Sequence, residues 1–224
     1  MPMGSAANRM KGRRPAARLY LATPRVSDPA GLGTELSQAL DAAAVAAVLL
    51  RLPAGDDRAL IDRVKSVAPL VQGQGVALLL EDHHGIVAPS GADGAHLTGI
   101  DQFRAAAPTL KPERIAGCGG LKTRHDAMVA GEAGADYVMF GEPDPDQRRP
   151  SLGSIVERIG WWAELFEVPC VGFAGSADEV APLAAAGADF VALGEWVFGH
   201  AYEREPAAAI ADAARRLAEI EVDA

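Results

Sequence analysis

Acidic residues follow two neighbouring apolar runs in the stretch Val76–Asp101, VALLLEDHHGIVAPSGADGAHLTGID. The first run ends in Glu81-Asp82, and the second, Ala95–Thr98, is followed closely by Asp101. Read as two parallel strands joined by a crossover, the stretch places a carboxylate just past the C-terminal end of each strand, the edge at which α/β folds bind ligands. Oxygen ligands from two strands suit Mg²⁺, which one or two carboxylates hold together with substrate phosphates and water. We therefore predict a magnesium site at Asp82 and Asp101.

Cationic side chains and glycines follow the other predicted strands. Cations can bind phosphate, and glycines after the last two strands of a barrel commonly bind it through backbone N–H groups. The predicted catalytic residues are Lys122 and Arg51, and the predicted phosphate-binding or substrate-binding residues are Arg51, Gly120, Arg149, Gly175 and Gly194.

Several of these residues have a simpler reading. An aspartate after a strand often caps a helix, and Asp101 opens one. His83 and His84 fit a plain loop, because two histidines beside an acid form no zinc motif without further ligands. Lys122 fits a solvated position at a helix start. The segment Glu142–Pro150 is predicted to be a mobile surface loop, although loops at this face often act as lids.

Alternating strands and helices must position these residues. Leu32–Ala43 has helical spacing, and Val45–Leu52 is a nearly continuous apolar run, typical of a strand buried on both faces. The alternation continues to eight strands, and Ala133–Glu142 and Ala186–Glu195 repeat the pattern Gly-Ala-Asp, apolar strand, Gly-Glu. Repeated βα units favour a closed (β/α)₈ TIM barrel over an open sheet, and no GxGxxG follows the first strand. We predict one α/β barrel domain over residues 17–224, after a flexible basic tail at 1–16.

Composition limits the function classes. The chain has 224 residues and a formal net charge of −9, which argues against a nucleic-acid partner because such surfaces are normally basic. No run approaches the roughly 18 apolar residues of a membrane helix, and the tail lacks the apolar region of a secretory signal. Cys118 and Cys170, in separate predicted strands, are typical of core residues in a reducing compartment, so a cytoplasmic location is expected.

The order of motifs, strand-D, GADGxHLxxxD, GADYVxFG, VPxVGxxG and AGADxVAL, resembles the thiamine phosphate synthase and TenI-like family of (β/α)₈ barrels from about Arg18 to Phe198. Members of the synthase branch join hydroxymethylpyrimidine pyrophosphate to a thiazole phosphate, use Mg²⁺ and release pyrophosphate. The resemblance implies the same reaction for this chain. Asp82 matches the aspartate of the family's Asn-Asp pair, with Glu81 in place of the asparagine. Asp101 matches the second metal carboxylate.

Other family positions differ here. Arg51 aligns with the arginine of the phosphate-binding Gln-x-Arg-x-Lys strand, but its neighbours become Leu49 and Pro53. The serine after strand five falls on Gly120, or on Cys118 if the gap is shifted. The remaining departures are in three loops. In place of the pyrophosphate loop Pro-Thr-x-Thr-Lys, this chain has the acidic segment 142–150, with only Arg148 or Arg149 near the position of the lysine. The Gly-Gly-Ile of strand seven is replaced by Ala174-Gly175-Ser176, and the serine turn of strand eight is replaced by Gly194-Glu195-Trp196.

Three hypotheses follow. The first is a thiamine phosphate synthase-like enzyme with Mg²⁺ at Asp82 and Asp101, small phosphorylated pyrimidine and thiazole substrates, and Arg51, Lys122 and Arg149 at the leaving group. The second is a TenI-like, thiazole tautomerase-type barrel in which Lys122 or a histidine of the 83–84 pair carries a proton. The third is a non-catalytic homologue that binds a thiamine-related ligand or a partner protein. The sequence leaves a homodimer open.

Overall fold

The computed structural model describes residues 16–25, 27, 31–198 and 205–222, with no side-chain description for 221–222. Eight parallel strands pair in chain order and close into a barrel, because β8 pairs with β1. The predicted (β/α)₈ fold is thus confirmed, while residues 1–15 of the predicted tail lie outside the described part. The strands are β1 Arg18–Arg25, β2 Val45–Arg51, β3 Ala77–Glu81, β4 Gly94–Thr98, β5 Ile115–Gly119, β6 Tyr137–Phe140, β7 Cys170–Ala174 and β8 Phe190–Leu193.

One α-helix follows each strand within the described residues. Some helix starts carry side-chain caps: Asp56 accepts from the N–H of Ala59, and Thr123 forms a capping box with Asp126. The helices are α1 Gly33–Ala42, α2 Asp57–Gln72, α3 Val87–Ser90, α4 Ile100–Leu110, α5 Arg124–Glu132, α6 Leu152–Leu165, α7 Ala177–Ala185 and α8 Pro206–Val222. None of the described helices is long and apolar enough to span a membrane.

Two apolar clusters lie on opposite faces of the strands, because successive strand side chains point to opposite faces. On β3, Leu78 and Leu80 pack in the larger cluster with the helices, while Leu79 lies in a smaller cluster in the barrel interior. That interior cluster also contains Tyr20, Tyr137 and Phe173. Barrel interiors are normally filled by branched aliphatic residues, so two tyrosines there are a departure from the usual packing.

The repeated Gly-Ala-Asp motif ends a helix and links neighbouring strands of the barrel. Its glycine ends a helix with a positive φ, as at Gly187 with φ 103°. Its aspartate, however, reaches the adjacent strand: Asp189 Oδ2 accepts from the N–H of Cys170 at 2.8 Å. The copies at Asp93 and Asp136 accept in the same way from Leu78 (2.7 Å) and Ala116 (2.8 Å). The motif therefore fixes the start of β3, β5 and β7.

Candidate functional site

A cavity of about 710 Å³ opens at the mouth of the barrel, where the C-terminal ends of the strands meet. Five of the predicted site residues line it, namely Arg51, Asp82, Gly120, Lys122 and Arg149. Asp101, Gly175 and Gly194 are not among its lining residues. Arg25 and Arg158 also line the cavity, although the sequence reading did not select them.

Arg51 lies between two carboxylates. Its Nε donates to Glu81 at 2.9 Å and its Nη1 donates to Glu195 at 2.7 Å. Arg25, at the end of β1, also pairs with Glu81 and donates to the carbonyl oxygen of Leu52 at 3.0 Å. Glu195 is 54% exposed, so its contact with Arg51 is the one that an incoming anion can displace most easily.

Asp82 has a strained backbone at the end of β3. Its φ is 57°, in the left-handed region that non-glycine residues seldom occupy and that often marks functional sites. Its Oδ1 accepts from the N–H of Thr98 at 2.8 Å, which ties the end of β3 to the end of β4. This leaves Oδ2 without a hydrogen-bond partner among the described residues.

Asp101 lies in the first turn of α4, is exposed, and its carboxylate has no partner among the described residues. It follows Thr98, the residue bonded to Asp82, by three positions. The two aspartates thus come from adjacent βα connections. No group of three or more His, Cys, Asp or Glu able to hold a metal is found in the described residues. The donor set fits Mg²⁺ only in the manner typical of substrate-bridged sites, with two carboxylates completed by water and substrate oxygens.

The connection after β5 carries Gly120 and Lys122. Gly120 has φ 62°, and its N–H donates to Glu142 Oε2 at 2.9 Å. Lys122 is exposed, and its ammonium has no partner in the described part of the chain. Arg158, on α6, donates to the carbonyl oxygens of Leu121 (2.8 Å) and Lys122 (3.2 Å) and so positions this connection.

Arg149 is anchored at the end of the 142–150 segment. Its guanidinium donates to the carbonyl oxygens of Gly141 (2.7 Å) and Phe173 (2.6 Å) and pairs with Glu179 at 2.9 Å. The N–H of Gly175 donates to the same Glu179 at 2.7 Å. A phosphate at Gly175 would therefore have to replace that carboxylate.

Gly194 precedes a short 3₁₀ turn, Glu195–Val197. The Trp196 indole in this turn donates to the carbonyl oxygen of Ala174 at 2.9 Å, and Glu195 reaches Arg51. The end of β8 thus supplies a carboxylate to the mouth. Phosphate binding at Gly175 and Gly194 stays a prediction.

The 142–150 segment forms one wall of the cavity. It is held by internal contacts, since Asp144 accepts from the backbone N–H of Arg148 at 2.8 Å and from its Nε at 3.1 Å. These bonds and the anchored Arg149 give the predicted surface loop a defined shape over the site. His83, by contrast, lies 3.3 Å from the carbonyl oxygen of Leu52, and neither it nor His84 lines the cavity.

A chain of four hydrogen-bonded polar side chains runs from the cavity into the barrel. Glu142 Oε1 lies 2.7 Å from His96 Nε2, His96 Nδ1 lies 2.9 Å from the Tyr137 hydroxyl, and that hydroxyl lies 3.0 Å from the hydroxyl of Tyr20. His96 is fully buried, while Glu142 lines the cavity with 16% of its side chain exposed. The sequence reading missed this chain.

Charge pairing sets the protonation of Glu142 and His96, the two members of the chain nearest the cavity. Burial alone would raise the pKa of Glu142, but the His96 ring, the N–H of Gly120 and the charge of Arg51 hold that pKa below its usual value. Burial would lower the pKa of His96, yet the carboxylates of Glu142, Glu81 and Asp82 raise it. Both directions favour an imidazolium paired with a carboxylate.

Comparison with known proteins identifies the family. A family model described as thiamine monophosphate synthase matches residues 19–197, which cover all eight strands but for one residue of β1. The chain belongs to the thiamine monophosphate synthase family. The resemblance read from the motifs is thereby confirmed.

Relatives in this family are similar over nearly their whole length. The chain is 43% identical over 198 residues to the thiamine-phosphate synthase of Rhodospirillum centenum, covering 87% of this chain and 95% of the relative. It is 36% identical over 205 residues to that of Hyphomonas neptunium, covering 88% and 92%. A solved structure, thiamine phosphate pyrophosphorylase from Pyrococcus furiosus, superposes with a TM-score of 0.75 over 91% of this chain and 96% of that one. Its sequence identity is 22%, so this likeness supports the barrel fold alone.

Proposed function

We infer that this chain is a thiamine-phosphate synthase, a transferase that joins hydroxymethylpyrimidine pyrophosphate to a thiazole phosphate and releases pyrophosphate. The observation that carries this inference is the 43% identity to a thiamine-phosphate synthase over 95% of that relative's length. The cavity is consistent with it, because six cationic side chains line a site that must take two phosphorylated substrates: Arg25, Arg51, Lys122, Arg148, Arg149 and Arg158.

The reaction breaks one bond and forms another. The C–O bond of the pyrimidine methylene to pyrophosphate breaks, with its electron pair leaving on oxygen, and the lone pair of the thiazole nitrogen forms the new C–N bond. The leaving group gains negative charge in the transition state, so cations placed beside it lower the barrier. We assign Lys122 and Arg51 to the leaving pyrophosphate. The Lys122 ammonium has no partner in the part of the chain that the structure describes.

Magnesium is the cofactor we assign, held by Asp82 and Asp101. When bound, it supplies neutralisation of the pyrophosphate charge. The protein's own part is to hold Asp82 through the N–H of Thr98, so that one carboxylate oxygen stays available. Cytoplasmic location and a homodimer stay predictions from the sequence.

The direct test incubates the purified protein with both substrates and Mg²⁺ and follows thiamine phosphate and pyrophosphate by chromatography. We expect the two products in equal amounts and no product after chelation of the metal. If neither product forms, the inferred activity is wrong.

The same preparation tests the two rival readings. A tautomerase needs a proton carrier, and of Lys122, His83 and His84 only Lys122 lines the cavity. Isomerisation of the thiazole carboxylate without condensation would favour that reading. Binding of either substrate without any turnover would favour the non-catalytic one.

A further inference from the structure

Glu142 has no assigned role in binding phosphate or metal. It is a carboxylate on the wall of a cavity for anionic substrates, yet none of the arginines and lysines among the described residues contacts it. Its partners are His96 Nε2 and the N–H of Gly120, and each of its oxygens keeps a second lone pair for a ligand. Its lowered pKa keeps it ionised at neutral pH.

The barrel makes room for this carboxylate at the expense of side chains on β5. A Cβ at Gly119 would lie 2.1 Å from Glu142 Oε2 and 2.5 Å from His96 Nε2. A Cβ at Gly117 would lie 2.0 Å from Cζ of Tyr137. Two glycines spaced by two residues thus face the interior along the polar chain. The position of the Glu142 carboxylate therefore depends on the two glycines of β5 and on its bond to the buried His96.

The surroundings of Glu142 suit a planar heterocycle. The cavity reaches four apolar side chains of the interior cluster: Ala22, Leu49, Met139 and Phe173. An apolar floor with one charged acceptor beside it favours a flat ring that carries an N–H donor. The phosphate-bearing parts of the substrates belong at the cationic residues of the mouth.

We propose that Glu142 binds the exocyclic amino group of the pyrimidine substrate and stabilises the positive charge that the ring gains when its bond to pyrophosphate breaks. This rests on the proposed function. As the methylene becomes cationic, the amino nitrogen donates its lone pair into the ring and its N–H becomes a stronger donor. The hydrogen bond to the carboxylate therefore strengthens in the transition state, which is the condition for catalysis. Glu142 accepts no proton in this step, and no net proton transfer is needed.

The rest of the polar chain acts through Glu142. His96 fixes the carboxylate from below, Tyr137 fixes His96, and Tyr20 completes the hydrogen bonds of Tyr137. These three are positioning residues, because they lie below Glu142 in the barrel and do not line the cavity at its mouth. A fully bonded buried chain of this kind holds its end member in one place.

The test compares Glu142→Gln with the wild type on two pyrimidine pyrophosphates, one with the amino group and one with hydrogen in its place. For the variant we expect kcat on the amino substrate to fall about 100-fold, with KM for the thiazole phosphate unchanged. On the substrate without the amino group, kcat should be nearly the same for variant and wild type. Glu164→Gln, which removes the same charge from the exposed face of α6, is the matched control and should retain wild-type kinetics.

A second variant displaces the carboxylate while keeping its charge. Gly119→Ala should reduce kcat on the amino substrate in the same selective way, whereas Gly33→Ala, whose added Cβ meets nothing within 4 Å, should not. If either Glu142→Gln or Gly119→Ala yields no folded protein, the other decides.

The outcomes separate this inference from the proposed function. Equal losses on both pyrimidines would assign Glu142 a structural role and overturn the proposal, as would an effect confined to KM for the thiazole. Wild-type protein that forms no thiamine phosphate would instead overturn the proposed function. Wild-type turnover with an unaffected Glu142→Gln variant would overturn this inference alone.

Discussion

At the scale of single residues, Asp82 combines a structural bond with the proposed metal contact. One oxygen holds the N–H of Thr98, and the backbone lies in the left-handed region that Asp and Asn tolerate best. An asparagine side chain can keep the bond to Thr98 and the backbone shape while losing the charge. The two roles can therefore be separated by one substitution.

We expect Asp82→Asn to lower kcat at least about 100-fold, because transition-state charge on pyrophosphate loses its counter-charge. The melting temperature should stay within a few degrees of the wild type. Turnover is measured across a Mg²⁺ titration, together with thermal unfolding. Asp62→Asn, on the exposed face of α2, is the control. An unchanged Mg²⁺ dependence would contradict the assignment of Asp82 to the metal.

The His96 and Glu142 pair gives stability a pH dependence. The pKa of His96 is raised, so its contribution is complete below its ordinary value of 6.5 and is lost as pH rises through the folded value. The pKa of Glu142 is lowered, so its contribution is complete above its ordinary value of 4.5 and is lost as pH falls through the folded value. Both contributions to stability are therefore complete between pH 4.5 and pH 6.5.

We therefore expect Glu142→Gln to lower the free energy of unfolding most within that window, by about 3 kcal/mol, because it leaves a buried imidazole without its counter-charge. The difference from the wild type should shrink as pH rises through the raised pKa of His96, where the ring loses its proton. Chemical denaturation at a series of pH values measures this. A difference that does not vary with pH would show that the pair is not charged.

Sequence reading located site residues where a strand end identifies them. Arg51, Asp82 and Lys122 follow apolar runs, and the barrel brings each to the cavity. His96 gave no such signal, because one histidine in an apolar strand does not reveal whether it faces the helices or the interior. Glu142 follows β6 but was read as part of a surface loop, since its partner could not be known without the barrel.

At the scale of elements, the Gly-Ala-Asp repeat explains how neighbouring strands keep their register. Each aspartate accepts the N–H of the residue at or next to the start of the preceding strand, as Asp189 does with Cys170. A one-residue slip would break this bond and turn every interior side chain outward. The repeat itself was visible in the sequence, but its bond partner was not, because the partner lies 19 residues earlier in the chain.

We predict that Asp189→Ala lowers the free energy of unfolding by about 2 kcal/mol, the usual loss for a hydrogen bond to a charged group. Catalysis should persist in the folded fraction, because Asp189 lies at the opposite end of the strands from the cavity. Urea denaturation and kcat measure the two effects. Asp62→Ala, which removes an exposed carboxylate, should change stability by less than about 0.5 kcal/mol. Equal effects of the two variants would contradict the bond to the strand.

At the scale of the whole molecule, positive charge is concentrated at the cavity of a protein whose net charge is negative. The chain carries a formal charge of −9, whereas the described residues that line the cavity include six cations and four acids, Glu81, Asp82, Glu142 and Asp144. A locally cationic mouth on an acidic protein concentrates anionic substrates where they react. The repeated βα pattern predicted the closed barrel but not this separation, because Arg25 and Arg158 reach the mouth from a strand end and a helix that the motifs did not single out.

Lys122 tests this separation, because its ammonium has no partner to release among the described residues and so gives its whole charge to an incoming anion. We expect Lys122→Gln to raise KM for the pyrimidine pyrophosphate about tenfold, the equivalent of roughly 1.4 kcal/mol. Lys65→Gln removes the same charge from the exposed face of α2 and should leave KM unchanged.

Added salt screens the attraction between exposed charges, and at 0.1 M salt the attraction is largely lost beyond about 10 Å. The wild-type kcat/KM should therefore fall as potassium chloride is raised at fixed Mg²⁺, and it should fall less steeply in Lys122→Gln. The Lys65→Gln variant should follow the wild-type salt dependence. Parallel salt curves for all three proteins would mean that Lys122 acts by shape and not by charge, and the anion-concentrating mouth would lose its main support.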